Sequence, residues 1–184
     1  MLRKFALAAL LMISGAAFAA SQQSSIYLKL HSILTGTGDL QTPRSEFTWD
    51  RTIDLANGTG ADQANQVWTD TRTLTSGSTE TLDLNASLTN AIGESVTFTK
   101  IKAILIRNKA CTTTLSVGAA ATNQFVAIFG SATDLVKILP GGVFLITSPD
   151  STGAAVAAGS TDNLKIANSA GASCDYDIVI IGVN

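Results

Sequence analysis

Charge is scarce in this chain. Asp, Glu, Lys and Arg make up 14 % of its 184 residues, and the formal balance is −2. No basic face is available to neutralise phosphates, which excludes nucleic-acid binding by bulk electrostatics. Histidine occurs once, as His31, so catalysis built on two imidazoles is excluded, and a lone histidine is most often a surface residue. The Ser-rich chain has no G-x-S-x-G elbow. Aromatics are only 6 % of residues, which argues against a stacking platform for sugars. No CxxC or His/Cys cluster is present, so a zinc site is not expected. No D-x-D-x-D-G pattern supports calcium either.

What is there is a strong N-terminal pattern. Arg3 and Lys4 precede an apolar run from Phe5 to Ile13, and Ala17-Phe18-Ala19 has the A-x-A form that signal peptidases accept. The run is short for a membrane span, which needs about 20 apolar residues. It reads as a secretory signal cut between Ala19 and Ala20, or as an apolar arm that stays on. A membrane role is expected only if the segment is retained as an anchor. Mean hydropathy is positive. With so few charges, that suits a protein that buries surface against copies of itself.

Beyond residue 20 the pattern is all-β. Breaks are rich in Gly, Thr, Ser, Asn and Ala, and runs are rich in β-branched residues. In "SEFTWDRTIDLA", Phe47, Trp49, Arg51, Ile53 and Leu55 fall on one face, with Arg51 the odd member. "VTFTKIKAILIRN" is the longest candidate strand. Its parity switches between Phe98 and Ile101, which predicts a bulge near Thr99-Lys100. Further strands are expected at 67–75, 80–84, 113–117, 124–129, 135–139, 143–147, 163–167 and 175–182. "NASLTNAIG" (85–93) is the one short helical stretch expected, or else a single turn between two strands, and "LPGG" (139–142) is a sharp turn. The glycine-bearing breaks at 35–40 and 57–62 lack the context of a phosphate-binding loop. Short strands at regular spacing predict an antiparallel β-sandwich, jelly-roll-like, preceded by the apolar segment. The expected division is 1–19 signal or arm, 20–45 N-terminal arm or first strand, and 46–184 sandwich.

Cys111 and Cys174 each open a strand after a turn that follows an Asn-terminated strand, at Asn108 and Asn168. Side-by-side hairpins would let them form a disulfide; two unpaired thiols are the other reading. Asp70 and Arg72 share a strand face and read as an ion pair or an interface contact. Trp49 and Trp68 read as core or as inter-subunit anchors. Phe98, Phe125, Phe129 and Phe144 read as core.

The stretches "LTGTGDLQTP", "LANGTGADQANQVWTDTRTL", "ETLDLNASLTNAIGESVTFTKIKAILIRN", "ILPGGVFLITSPDSTGAAVAAGSTDNLKIAN" and "YDIVIIG" carry a resemblance. From Leu34 onward the chain resembles a family of small structural proteins of tailed phages and prophages. The resemblance implies an all-β virion component with no catalytic residue and no cofactor. Its first implied role is capsid decoration, by self-association and binding to the major capsid protein or neighbouring subunits, and a fibre or spike comes next. A homo-oligomer, such as a trimer, follows from that role. The family begins near the equivalent of Ile26, so the first ~20 residues are an addition of signal-peptide length. A signal peptide conflicts with virions that assemble in the cytoplasm. The alternative is therefore an exported periplasmic or extracellular assembly subunit, and a carbohydrate-binding module or hydrolase ranks last.

Overall fold

In a computed structural model, residues 21–184 apart from Ser87 and Ala110 are described; the expected signal or arm segment and its Ala19–Ala20 junction lie outside them. Fourteen strands follow one another: β1 (Ser24–Thr35), β2 (Arg44–Asn57), β3 (Gln63–Ala64), β4 (Gln66–Leu74), β5 (Thr79–Asp83), β6 (Leu88–Thr89), β7 (Ser95–Val96), β8 (Lys100–Asn108), β9 (Leu115–Gly118), β10 (Leu135–Ile138), β11 (Val143–Thr147), β12 (Ala154–Ala155), β13 (Asn163–Asn168) and β14 (Cys174–Val183).

Nine of them build an antiparallel β-sandwich. One sheet runs β4-β14-β8-β11, with the short β12 also on β8, and the other runs β5-β13-β9-β10. The chain crosses between the sheets from β4 to β5, β8 to β9, β10 to β11 and β13 to β14. That order is the double Greek key of a jelly roll. Alternation makes it possible: in β14, Cys174, Tyr176, Ile178 and Ile180 face inward and are buried. They meet Trp68, Phe98, Ile104, Ile106, Leu115, Val117, Phe125, Leu164 and Ile166 in one core.

The irregularity expected near Thr99-Lys100 is a pair of irregularities. The chain bends over 97–99, so Phe98 and Ile101 both reach the core. A bulge then falls at Lys102, where β14 pairs Ile181 with Ala103 but Gly182 with Ile101. The shift puts Ile104 and Ile106 inside and sends Ala103 and Leu105 to the outer face. Lys102 is itself buried, which pushes its pKa down, and its Nζ donates to the carbonyls of Gly60 and Asp150. This ties together the loops before β3 and before β12.

Asp150 closes its own loop by accepting from the amides of Gly153 (2.8 Å) and Thr152 (2.7 Å), which hold its carboxyl below the usual carboxylate range. A lowered native pKa contributes stability that is full above the unfolded value and lost as pH falls through the native one. Thermal scans should therefore show a midpoint that declines below about pH 4, and Asp150→Asn should flatten part of that decline. Equal slopes in both proteins would remove Asp150 from the account.

Four expectations are corrected or narrowed. Residues 124–129 do not form a strand; Gln124 makes one isolated bridge to Asn163 and a turn follows, because the Gln124 side chain is spent on the Ala120 amide and the Phe125 carbonyl. At 85–93 the helical form is not found; the other form expected there is, since its described residues make a turn between strands that leads into the β6–β7 pair, with Asn90 Oδ1 accepting from the amides of Ile92 and Glu94. The longest strand is β2, of 14 residues, since β8 begins only after the bend at 97–99. The boundary drawn at 45/46 falls inside a hairpin, because β1 pairs with β2 from Thr35↔Arg44 to Ser24↔Leu55. The turn at 139–142 is as expected: Gly142 donates to the Leu139 carbonyl at 2.8 Å, and Gly141 takes the positive φ of 73°. Phe98 and Phe125 are fully buried, while Phe129 and Phe144 are half-buried against the core.

Candidate assembly interface

The β1–β2 hairpin is a two-stranded ribbon with two unlike faces. Register places Ile26 opposite Ile53, Leu28 opposite Arg51, Leu30 opposite Trp49, Ser32 opposite Phe47 and Leu34 opposite Ser45. Directly opposed residues share a face. One face is therefore mostly apolar. The other pairs Lys29 with Asp50, His31 with Thr48 and Thr35 with Arg44. That polar face is internally satisfied. His31 Nε2 lies 3.0 Å from Glu46 Oε1, Arg44 donates to Glu46 at 2.8 Å, and Ser25 Oγ donates to Asp54 at 2.6 Å.

Only the base of the apolar face is covered. Ile53 and Leu55 are buried, and with Ile26 and Leu28 they pack on Ala64, Ala103, Val179 and Ile181, the last three on the outer face of the β8–β14 sheet. Past Leu28 every residue of β1 is exposed. The distal face leaves Leu30 58 %, Leu34 73 %, Phe47 53 % and Trp49 47 % exposed. A two-stranded hairpin is marginal on its own in water. A projecting one with a bare Trp, Phe and two Leu on a single face is the kind of surface that marks an interaction site.

Trp49 is thus on the surface, where it was expected either to anchor a partner or to sit in the core. Trp68 belongs to the core: it is 3 % exposed, and its Nε1 donates to the Thr89 carbonyl at 3.1 Å. Its surface is spent within the chain and is not offered to a partner. Asp70 and Arg72 do pair, at 2.9 Å, but Arg72 also donates to Glu80 of β5 at 2.6 Å. Tyr176, buried on β14, donates its hydroxyl to the other oxygen of Glu80. Burial works against the Arg72 charge, yet the bonds to Asp70 and Glu80 outweigh it and raise its pKa; burial and Glu80 push Tyr176 up as well. The group bridges the two sheets at their β4/β5 edge. A cavity of about 320 Å³ beside it is lined by Trp68, Asp70, Arg72 and Thr81, and its carboxylate is held by the guanidinium. Glu80 and Tyr176 as partners of Arg72 could not be read from spacing, since they come from two other strands.

Cys111 and Cys174 are joined in a disulfide, Cα to Cα 4.8 Å, at the end of the sandwich where β8 leads toward β9 and β13 leads to β14. The two asparagines have different partners. Buried Asn108 donates to the carbonyls of Thr113 (2.9 Å), past Cys111, and Ile138 (3.1 Å) of β10, and the Nδ2 of buried Asn168 lies within bonding distance of those of Leu74, Thr75 and Ala172 at 2.8–3.1 Å, tying the turn before Cys174 to the end of β4. Asn168→Ala removes that donor, while Thr75 keeps the amide and hydroxyl of Ser78, and should cost about 1–3 kcal/mol in urea unfolding; an unchanged midpoint would count against this role.

Among the described residues no helix is long and apolar enough to cross a membrane, and no group of acidic, His or Cys side chains is arranged to hold a metal ion. An open trough of about 830 Å³ near Ser21 is lined mainly by amide and hydroxyl side chains, with Glu94 its single carboxylate. No protein-family model matches the chain, and no curated protein or solved structure is significantly similar to it.

Proposed function

We propose that this chain is a non-enzymatic structural subunit that works by self-association, and that its setting is a phage virion, as a capsid decoration protein. The observation that carries self-association is the bare apolar face of the β1–β2 ribbon, with Trp49, Phe47, Leu30 and Leu34 projecting past the sandwich. The virion setting rests on the resemblance of residues 34–184 to small phage structural proteins. A jelly roll stapled by a disulfide suits a particle that must stay folded outside a cell.

The disulfide and the A-x-A segment favour a second reading, an exported extracellular or cell-surface assembly subunit. A sugar-binding role has less support. Around Trp49 the ribbon face presents Leu30, Leu34 and Phe47, and its polar side chains there are Arg51, Ser32 and Ser45, with none of the carboxylates or amides that commonly fix a sugar's hydroxyls.

Light scattering on the purified chain tests self-association: an oligomer at micromolar concentration is expected, and a monomer at all accessible concentrations overturns it. Intact mass from the native source, before and after reduction, separates the settings. A chain starting at Ala20 with bonded cysteines means export, and a retained N-terminus with free thiols means an arm or anchor and favours the virion.

A further inference from the structure

The outer face of the β8–β14 sheet is only half covered by the ribbon base. Beside that base lies an apolar groove of about 300 Å³, with Leu105, Leu145, Val179 and Ile181 as its floor and Ile26 and Tyr27 as its wall. Val143, on the same face of β11, is also exposed. Among the described residues two apolar surfaces are thus left uncovered, the distal ribbon and this groove. The ribbon cannot fill its own groove: its base already lies along it through Leu28, and the extended distal half continues away.

We propose that the groove receives the distal ribbon of a second copy of this chain, an arm exchange that rests on the self-association reading and names its surface. Three observations select that occupant. First, the packing mode already exists within the chain, since the apolar face of this ribbon sits on this sheet at Ala103 and Ile181. Docking a second ribbon alongside repeats and extends that contact. Second, the charges match. Arg51 stands on the apolar face two residues from Trp49, and among the described residues no carboxylate lies within ion-pair distance of it. On β14 the outward row from Val179 steps by two residues to Asp177 and Asp175. Both steps are about 6.8 Å, so Trp49 over Val179 brings Arg51 over Asp177. Asp177 accepts from Thr71 Oγ1 at 2.8 Å and lies 3.8 Å from Arg107 and 3.5 Å from Lys109 of its own chain, so Arg51 would join a carboxylate pair, Asp175 and Asp177, that is already partly matched. Third, the area suffices. The four distal side chains expose on the order of 400 Å². In a reciprocal dimer both ribbons enter the same interface, so each copy gives one ribbon and one groove to it, which brings each partner to the roughly 800 Å² of a stable interface. Closure as a reciprocal dimer or as a ring uses every such surface.

The test is cross-linking between two populations of the disulfide-bonded chain carrying tags of different size. One carries Ser32→Cys, on the apolar ribbon face beside Phe47, and the other Thr147→Cys, on the outer face of β11 level with Ile181. Both changes leave Trp49 and the groove floor in place. After mixing, a short bis-maleimide should join one chain of each kind. Separately, Trp49→Ser should weaken association at least about thirtyfold with an unchanged melting temperature, and Trp49→Phe should retain most of it. Cross-links confined to Ser32→Cys pairs, or none while the wild type remains oligomeric, overturn arm exchange and leave self-association standing. So does an oligomer indifferent to Trp49→Ser. A monomeric wild type overturns both.

Discussion

The Cys111→Ala/Cys174→Ala double variant should lose about 4 kcal/mol of unfolding free energy, and its melting midpoint should drop by on the order of 10 °C. The two cysteines are 63 residues apart. A cross-link closing a loop of that length removes a large share of the unfolded chain's freedom, and the cost of its loss rises with the logarithm of loop length. Position adds to this. The bond joins the chain just before β9 of one sheet to the first residue of β14 in the other. Cys174 is fully buried and Cys111 nearly so, so the alanines also leave a small void. Reducing the wild type under native conditions should reproduce most of the loss. A double variant that melts with the wild type, alongside titratable free thiols in the wild type, would sink the assignment.

Phe98→Ala should cost about 3–5 kcal/mol, the range for truncating a fully buried phenyl ring. Phe98 sits where the chain bends from β7 into β8, with its amide donating to the Leu84 carbonyl at 2.9 Å. Its ring lies against the backbone of β14 at Gly182, where a Cβ would come within 2.7 Å of the ring and hard against the Lys100 carbonyl oxygen. Gly182→Ala should therefore cost about 1–3 kcal/mol by itself. The pair should be non-additive: without the ring the added methyl gains room, but the backbone oxygen still crowds it, so the double variant should lose less than the two losses summed. Strict additivity in a urea double-mutant cycle would mean that the ring and the glycine do not share this space.

Much of the fold was legible because period two is written in single residues. Leu164 and Ile166 against Asn163 and Lys165 tell a reader which side of β13 faces the core, whereas Ile178–Ile181 of β14 is apolar on both sides and does not. Turn chemistry was equally local at Pro140-Gly141. Segment 124–129 misled because Gln124, Phe125 and Val126 look like a strand, whereas the buried amide of Gln124 is committed to a loop. The two matching Asn-turn-Cys arrangements placed both cysteines at comparable strand starts, but whether they met depended on β8 and β14 being neighbours, a long-range fact.

The ribbon marks the limit more sharply. The sequence by itself determined that Phe47, Trp49, Arg51, Ile53 and Leu55 lie on one side of a strand, since backbone geometry alone enforces that alternation. It could not tell that Ile53 and Leu55 would be covered while Phe47 and Trp49 would stand bare, because both pairs are equally apolar. Only the tertiary structure decided this: the ribbon rests on the outer face of the β8–β14 sheet only as far as Leu28, and the residues beyond it are exposed. Burial is a property of where a strand sits, and a strand's own residues specify only its two sides.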